Sequence, residues 1–251
     1  MALSKLVSAL AIPVRLMEKV PGIGWIPRAL STSIGQKLVM AFTGLLLCGF
    51  LVAHLAGNLF LFVGEQAYND YAHALHKNEA LLKVAEVGLF ALFVTHLGLA
   101  ISTSTMNQKA RGGTDYAEKD TKQGTFLIPG GGASSYMFAT GAVVLGFVLL
   151  HIADFTLEMR GAEYYPMDAD GHLNQFAKAK KLLTNPISVI VYVIGCIALG
   201  IHLVHGFGSA LQTLGLNHPK YNKLVKMASY AFGWTISIGF ISFVLWAMGS
   251  K

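Results

Sequence analysis

Five apolar runs, each long enough to cross a lipid bilayer as a helix, constrain this chain more than any other feature of its sequence. A hydrocarbon core of about 30 Å takes about 20 helical residues, and runs of that length lie at about 38–62, 83–103, 135–157, 186–211 and 224–248. They are continuously apolar rather than alternating, so the expected fold class is an all-α integral membrane protein, a bundle of five transmembrane helices, and not a closed barrel. Composition agrees. Of 251 residues, 54% are hydrophobic and only 13% charged, where a soluble domain carries about 25% charged residues. Too few polar side chains remain to cover a water-exposed globule. No charge interrupts the first run between Leu38 and Val63, while Glu86 lies one turn into the second and Asp154 near the end of the third.

The chain divides into an interfacial amphipathic segment, 1–37, and a membrane domain, 38–251. The apolar stretch at 6–14 is short for a signal peptide, and Arg15, Lys19, Pro21 and Arg28 stand where a small-residue cleavage site is needed. Trp25 and these basic residues suit the headgroup level. Lysine and arginine total twelve on the side of the N-terminus and the 104–134 and 212–223 connections, against seven on the other side. The positive-inside rule then places the N-terminus in the cytoplasm and the C-terminus outside the inner (cytoplasmic) membrane. On this reading the net charge of +6 marks topology and is no sign of a nucleic-acid partner. Cys48 and Cys196 sit inside apolar runs without CxxC spacing and read as small buried hydrophobes.

Ionisable side chains inside a membrane are costly and point to function. Of nine histidines, five fall in the spans: His54, His96, His151, His202 and His205. At about 1.5 Å per residue, His54 and His151 lie ~24 Å from the inner face of helices running outward. His96 and His202, on helices running inward, lie within ~6–10 Å of that face. Two histidines thus meet near the outer side and two near the inner side. Neutral imidazoles facing each other across a bundle suit bis-histidine haem ligation. Zinc sites want three or four ligands, and no further cysteine, carboxylate or histidine joins either pair. The expectation is two stacked b-type haems, one held by His54 and His151, the other by His96 and His202. On the fourth helix Gly206, one turn after His202, leaves room for a flat macrocycle and favours His202 as ligand. His205 is the alternative ligand or a propionate contact. Asp154 reads as a support for His151, a proton-handling group or a residue snorkelling to the interface.

Two segments carry a family resemblance: SIGQKLVMAFTGLLLCGFLVAHLAGNLF at 33–60 and HLVHGFGSALQTLG at 202–215. Together with the order of the four histidines, they resemble the cytochrome b membrane-anchor subunit of succinate:quinone oxidoreductases. The likeness is to the single-chain, five-helix, di-haem form in the succinate dehydrogenase and fumarate reductase family, and it extends over essentially the whole chain. The resemblance implies that the chain docks a flavoprotein subunit carrying FAD and an iron–sulfur subunit. It then passes electrons through two haem b groups to or from a membrane quinone, expected to be menaquinone, and has no dicarboxylate-binding or catalytic residue of its own. It assigns His96 and His202 to the proximal haem and His54 and His151 to the distal haem, and leaves a higher oligomer of the complex open. It also points to an acidic residue near the outer end of the first helix for quinone. Glu65 is the nearest, with Asp70, His73 and His76 behind it. A proximal quinone pocket would instead draw on Ser31, Ser33 or Lys37 with Gln212 or the basic stretch 109–122.

Other classes make different demands. A hydrogenase or formate dehydrogenase cytochrome b has another histidine distribution, and a stand-alone transmembrane ferric reductase of the ascorbate type usually has six spans. A proton-coupled transporter would show broken helices and internal repeats, and the sequence shows no convincing repeat.

Overall fold

The computed structural model describes residues 25–110, 136–168 and 171–250. Within them the chain forms helices α1 (Trp25–Ser31), α2 (Ser33–Asn58), α3 (Phe60–Val63), α4 (Glu65–His76), α5 (Glu79–Ala110), α6 (Met137–Phe155), α7 (Gln175–Thr184), α8 (Pro186–Thr213) and α9 (Pro219–Gly249). The segment 1–24 and the stretch 111–122 of the basic connection lie outside the described residues.

Among the described residues, five helices are long and apolar enough to cross a membrane: Ser33–Val63, Glu79–Asn107, Met137–Phe155, Pro186–Thr213 and Pro219–Gly249. The protein is therefore a multi-pass membrane protein. Their ends follow local chemistry. Thr32 caps α2 by accepting from Gly35 N–H, and Asn185 caps α8 by accepting from Ile187 and Ser188 N–H ahead of a proline at the first turn. His218 and Pro219 do the same for α9, which starts the fifth helix five residues before the apolar run at 224. Large apolar side chains stand exposed along the spans, among them Phe42, Val52, Val87, Phe90, Ile190 and Leu245. In water this would be a liability; in a bilayer it is the lipid-facing surface.

Packing fixes the arrangement. α8 lies against α9, α6 and α2, and α2 lies against α5. Four helices therefore run round in the order α5–α2–α8–α6, with α9 on the outside of α8. In that ring α2 stands diagonally opposite α6, and α5 opposite α8. The α8–α9 seam is lined by small residues: a β-carbon on Gly233 would stand 2.8 Å from the Gly200 carbonyl oxygen, and one on Gly200 would stand 2.8 Å from Ser237 Cβ. Ser237 Oγ donates across the seam to the Cys196 carbonyl at 2.8 Å. Without a hydrophobic force between helices in lipid, such close backbone approach is what holds two of them together.

Outside the spans, the described connections form further short helices. Between the first two spans, α4 is a helix whose Asn69 exchanges hydrogen bonds with Asn174 and Phe176 at the start of α7. Burial pushes the Tyr68 hydroxyl up to about 12; it donates to Asn58 Oδ1 at 3.3 Å.

Candidate cofactor site between four helices

The histidines meet in twos across the diagonals of the ring. His54 on α2 and His151 on α6 face each other with ring centroids 5.8 Å apart and planes at 80°. Two imidazoles on one metal, each about 2 Å from it, would have ring centres about 6 Å apart, and the separation of this pair is close to that. On the other diagonal His96 of α5 and His202 of α8 are near enough to interact electrostatically.

The second pair is oriented by its neighbours. Thr43 Oγ1 on α2 lies 3.3 Å from His96 Nδ1, and Thr140 Oγ1 on α6 lies 3.4 Å from His202 Nδ1. Both hydroxyls spend their proton on their own helix, Thr43 on the Met40 carbonyl at 3.1 Å and Thr140 on the Tyr136 carbonyl at 2.8 Å. Their lone pairs are left to accept from an imidazole N–H. A histidine whose Nδ1–H is held in this way presents an unprotonated Nε2, the form that binds a metal.

These contacts show a repeat that the end-to-end reading of the sequence misses. The pattern Met40, Thr43, Gly44, Gly49, Phe50, His54 recurs with the same spacing as Met137, Thr140, Gly141, Gly146, Phe147, His151. Each member has the same place. The threonine addresses the histidine on the next helix. The glycine after it makes room for that imidazole: a β-carbon on Gly44 would stand 3.2 Å from His96 Cε1, and one on Gly141 would stand 3.5 Å from His202 Cε1. The phenylalanine packs on its own helix's histidine, Phe50 on His54 at 5.3 Å and Phe147 on His151 at 6.0 Å. Threonine and histidine in each copy stand three turns apart on one face, about 16 Å along the axis, which separates the two histidine pairs into two levels. The expectation of no internal repeat is thus corrected. The repeat is of a helix with its partner histidine, and its span of nearly a hundred residues puts it beyond the short periods by which repeat arrays are recognised.

His205 is placed differently from His202. Its Nε2 lies 3.0 Å from Ser209 Oγ, one turn along the same helix. The room argued for at Gly206 is bordered by Met137, whose Cε would lie 3.8 Å from an added β-carbon. The clearance that matters for His202 is at Gly141, on the facing helix.

Asp154 does not snorkel. It is 1% exposed and held by Arg160, with Nε to Oδ1 at 2.7 Å and Nη2 to Oδ2 at 3.1 Å. Tyr192, on α8, donates to Asp154 Oδ2 at 3.3 Å and lies 3.5 Å from His151 Nδ1. Neither Tyr192 nor Arg160 stands out in the sequence; their roles depend on α8 and the 156–168 connection closing over the end of α6.

The residues expected to serve quinone lie in α4 and around the start of α2. Glu65 Oε1 accepts from Asn174 Nδ2 at 2.6 Å, at the start of α7. Asp70 accepts from Gln66 at 2.9 Å. His73 faces His172, with ring centroids 5.7 Å apart, and with His76 lines an open surface cavity of about 580 Å³. Ser31 Oγ donates to the Arg28 carbonyl at 2.8 Å, and Lys37 is exposed. The residue of α4 that reaches toward the His54–His151 pair is Tyr68, through Asn58, whose Nδ2 donates to the His54 carbonyl at 2.8 Å. Comparison with family models, with curated proteins and with solved structures finds no match for this chain.

Proposed function

We propose that this chain is a di-haem cytochrome b that anchors a succinate:quinone oxidoreductase in the inner (cytoplasmic) membrane, N-terminus in the cytoplasm. The observation that carries the haem reading is the double diagonal: four histidines from four helices, opposed in twos at two levels, in settings built from one repeated segment. His54 and His151 would hold one haem b, and His96 and His202 the other. When bound, each haem supplies a one-electron carrier. The chain's own work is to hold imidazole Nδ1 groups through Thr43 and Thr140, to leave room with Gly44 and Gly141, and to exclude water by packing the phenylalanines on the rings. Two such sites about 16 Å apart along the helix axes span most of a hydrocarbon core of about 30 Å. They would conduct electrons between a water-soluble partner on one face and a quinone in the bilayer.

The flavoprotein and iron–sulfur partners, the TCA-cycle and respiratory role and menaquinone as the quinone rest on the family resemblance of the 33–60 and 202–215 segments. They are tested by purifying the native assembly from membranes through a tag on this chain. The expected result is co-purification of a flavin-containing and an iron–sulfur polypeptide, with a b-type absorption band that succinate reduces or fumarate reoxidises. A haem-bearing chain isolated without such partners, and unresponsive to both dicarboxylates, would overturn the assignment to this complex.

A further inference from the structure

The end of α6 carries a charged structure that the pairing of histidines does not require. Asp154, one turn after His151, is buried in the span and gripped by both ends of the Arg160 guanidinium, whose side chain is 19% exposed. Arg160 Nη2 also donates to Ser188 Oγ on α8 at 2.8 Å, and its guanidinium lies over the Tyr164 ring. The hydrogen bond to Asp154, ahead of the opposing cost of burial, holds Arg160 above its ordinary value. A second ion pair locks the same connection. Buried Lys178 bonds Glu158 at 2.6 Å and donates to the Phe155 carbonyl at 2.9 Å, at the end of α6. A buried ion pair is weak evidence for stability, because desolvation offsets its attraction. The Asp154–Arg160 pair, however, is connected to a histidine of the candidate site by a single side chain, Tyr192.

Resting on the di-haem reading, we propose that Asp154, acting through Tyr192 on His151 and balanced by Arg160, sets the electron affinity of the His54–His151 site and makes it differ from the His96–His202 site. The direction of the hydrogen bonds carries this. Tyr192 gives its proton to Asp154, so its oxygen is free to accept from His151 Nδ1–H. The negative charge of the carboxylate is thereby passed to the imidazole, which becomes a stronger donor to a bound metal. One-electron reduction by the partner's clusters or by quinol adds a negative charge to the site, and a nearby carboxylate opposes it. The guanidinium opposes that effect in turn. Among the described residues, the hydrogen-bond partners at the corresponding nitrogens of His96 and His202 are the neutral hydroxyls of Thr43 and Thr140. Asp154, Tyr192 and Arg160 are positioning residues and touch no reacting atom.

The test is a redox titration of the two haem midpoints in the membrane complex, with the His54→Ala variant identifying which midpoint belongs to which pair. The account expects Asp154→Asn and Tyr192→Phe to raise the His54–His151 midpoint and Arg160→Gln to lower it. The double variant Asp154→Asn/Arg160→Gln should return near the wild-type value, and the His96–His202 midpoint should stay fixed throughout. The opposite signs for the two partners of one ion pair are what a merely structural role would not produce. Shifts of the same sign, movement of both midpoints together, or no movement would overturn the proposal. If Asp154→Asn alone does not assemble, Tyr192→Phe and the double variant carry the test. Failure of those two to assemble as well would assign the network to folding and likewise overturn it. Absence of haem from the wild-type chain would overturn the di-haem reading itself, and the proposal with it.

Discussion

Replacing His202 by alanine is expected to leave one haem of two, whereas His205→Ala should keep both. The two imidazoles are three residues apart on α8, about 60° round the helix and ~4.5 Å along it, so one site cannot use them interchangeably. Their surroundings separate them. His202 is held at Nδ1 by Thr140 from the facing helix, at 3.4 Å, and its carbon edge lies opposite Gly141. Its Nε2 is thereby left as the free nitrogen. His205 has Nε2 engaged with Ser209 at 3.0 Å, within its own helix. Haem content per chain, read from the reduced absorption band of each purified variant, decides the matter. Loss of haem in His205→Ala with both haems kept in His202→Ala would reverse the assignment.

The largest effect on assembly is expected at Gly233, where Gly233→Leu should abolish folded protein. A β-carbon there would stand 2.8 Å from the Gly200 carbonyl oxygen and 2.9 Å from the Val204 backbone nitrogen. Backbone atoms cannot turn aside as a flexible side chain can. Overpacking a tight contact costs about 1–3 kcal/mol even where side chains yield, and that range is the lower limit for this seam. The strain would fall between Gly200 and Val204, the two residues that bracket His202, so haem should be lost along with α9 packing. Gly249→Ala, at a position with nothing within 4 Å of the added carbon, is the matched control and should behave as wild type. Thermal unfolding in detergent and the fraction of monodisperse protein measure both. A Gly233→Leu protein as stable as wild type would mean that α8 and α9 are not packed as described.

How much of this was legible in the sequence depends on how local each signal is. The five spans were legible because a bilayer-length apolar run has few alternatives. Their ends were less so. The fifth helix begins at Pro219 because His218 and Pro219 form a helix start, but Lys220, Lys223 and Lys226 dilute its apolarity and hide the first turn. The α4 and α7 helices carry no bilayer-length apolar run to mark them; their residues are mostly polar, and they hold each other through Asn69 and Asn174. The two depths of the histidines followed from helix rise alone. The atoms that orient them did not. Thr43 and Thr140 look like ordinary membrane-helix threonines until α5 and α8 are placed beside them, and Arg160 lies in a connection with no pattern to mark its reach to Asp154. The repeat was readable in principle, since six positions coincide at one constant offset. What obscured it was that the intervening residues differ and the offset is far longer than a structural repeat unit.

The central claim is that four histidines form two haem sites in one chain, and haem stoichiometry tests it most directly. Pyridine haemochrome analysis of the purified protein, against a quantitative amino-acid assay, should return two haem b per chain. It should fall to one in His54→Ala and in His96→Ala, and to none in the double variant. One haem, or none, in a wild-type chain that is folded and retains all four histidines would contradict it.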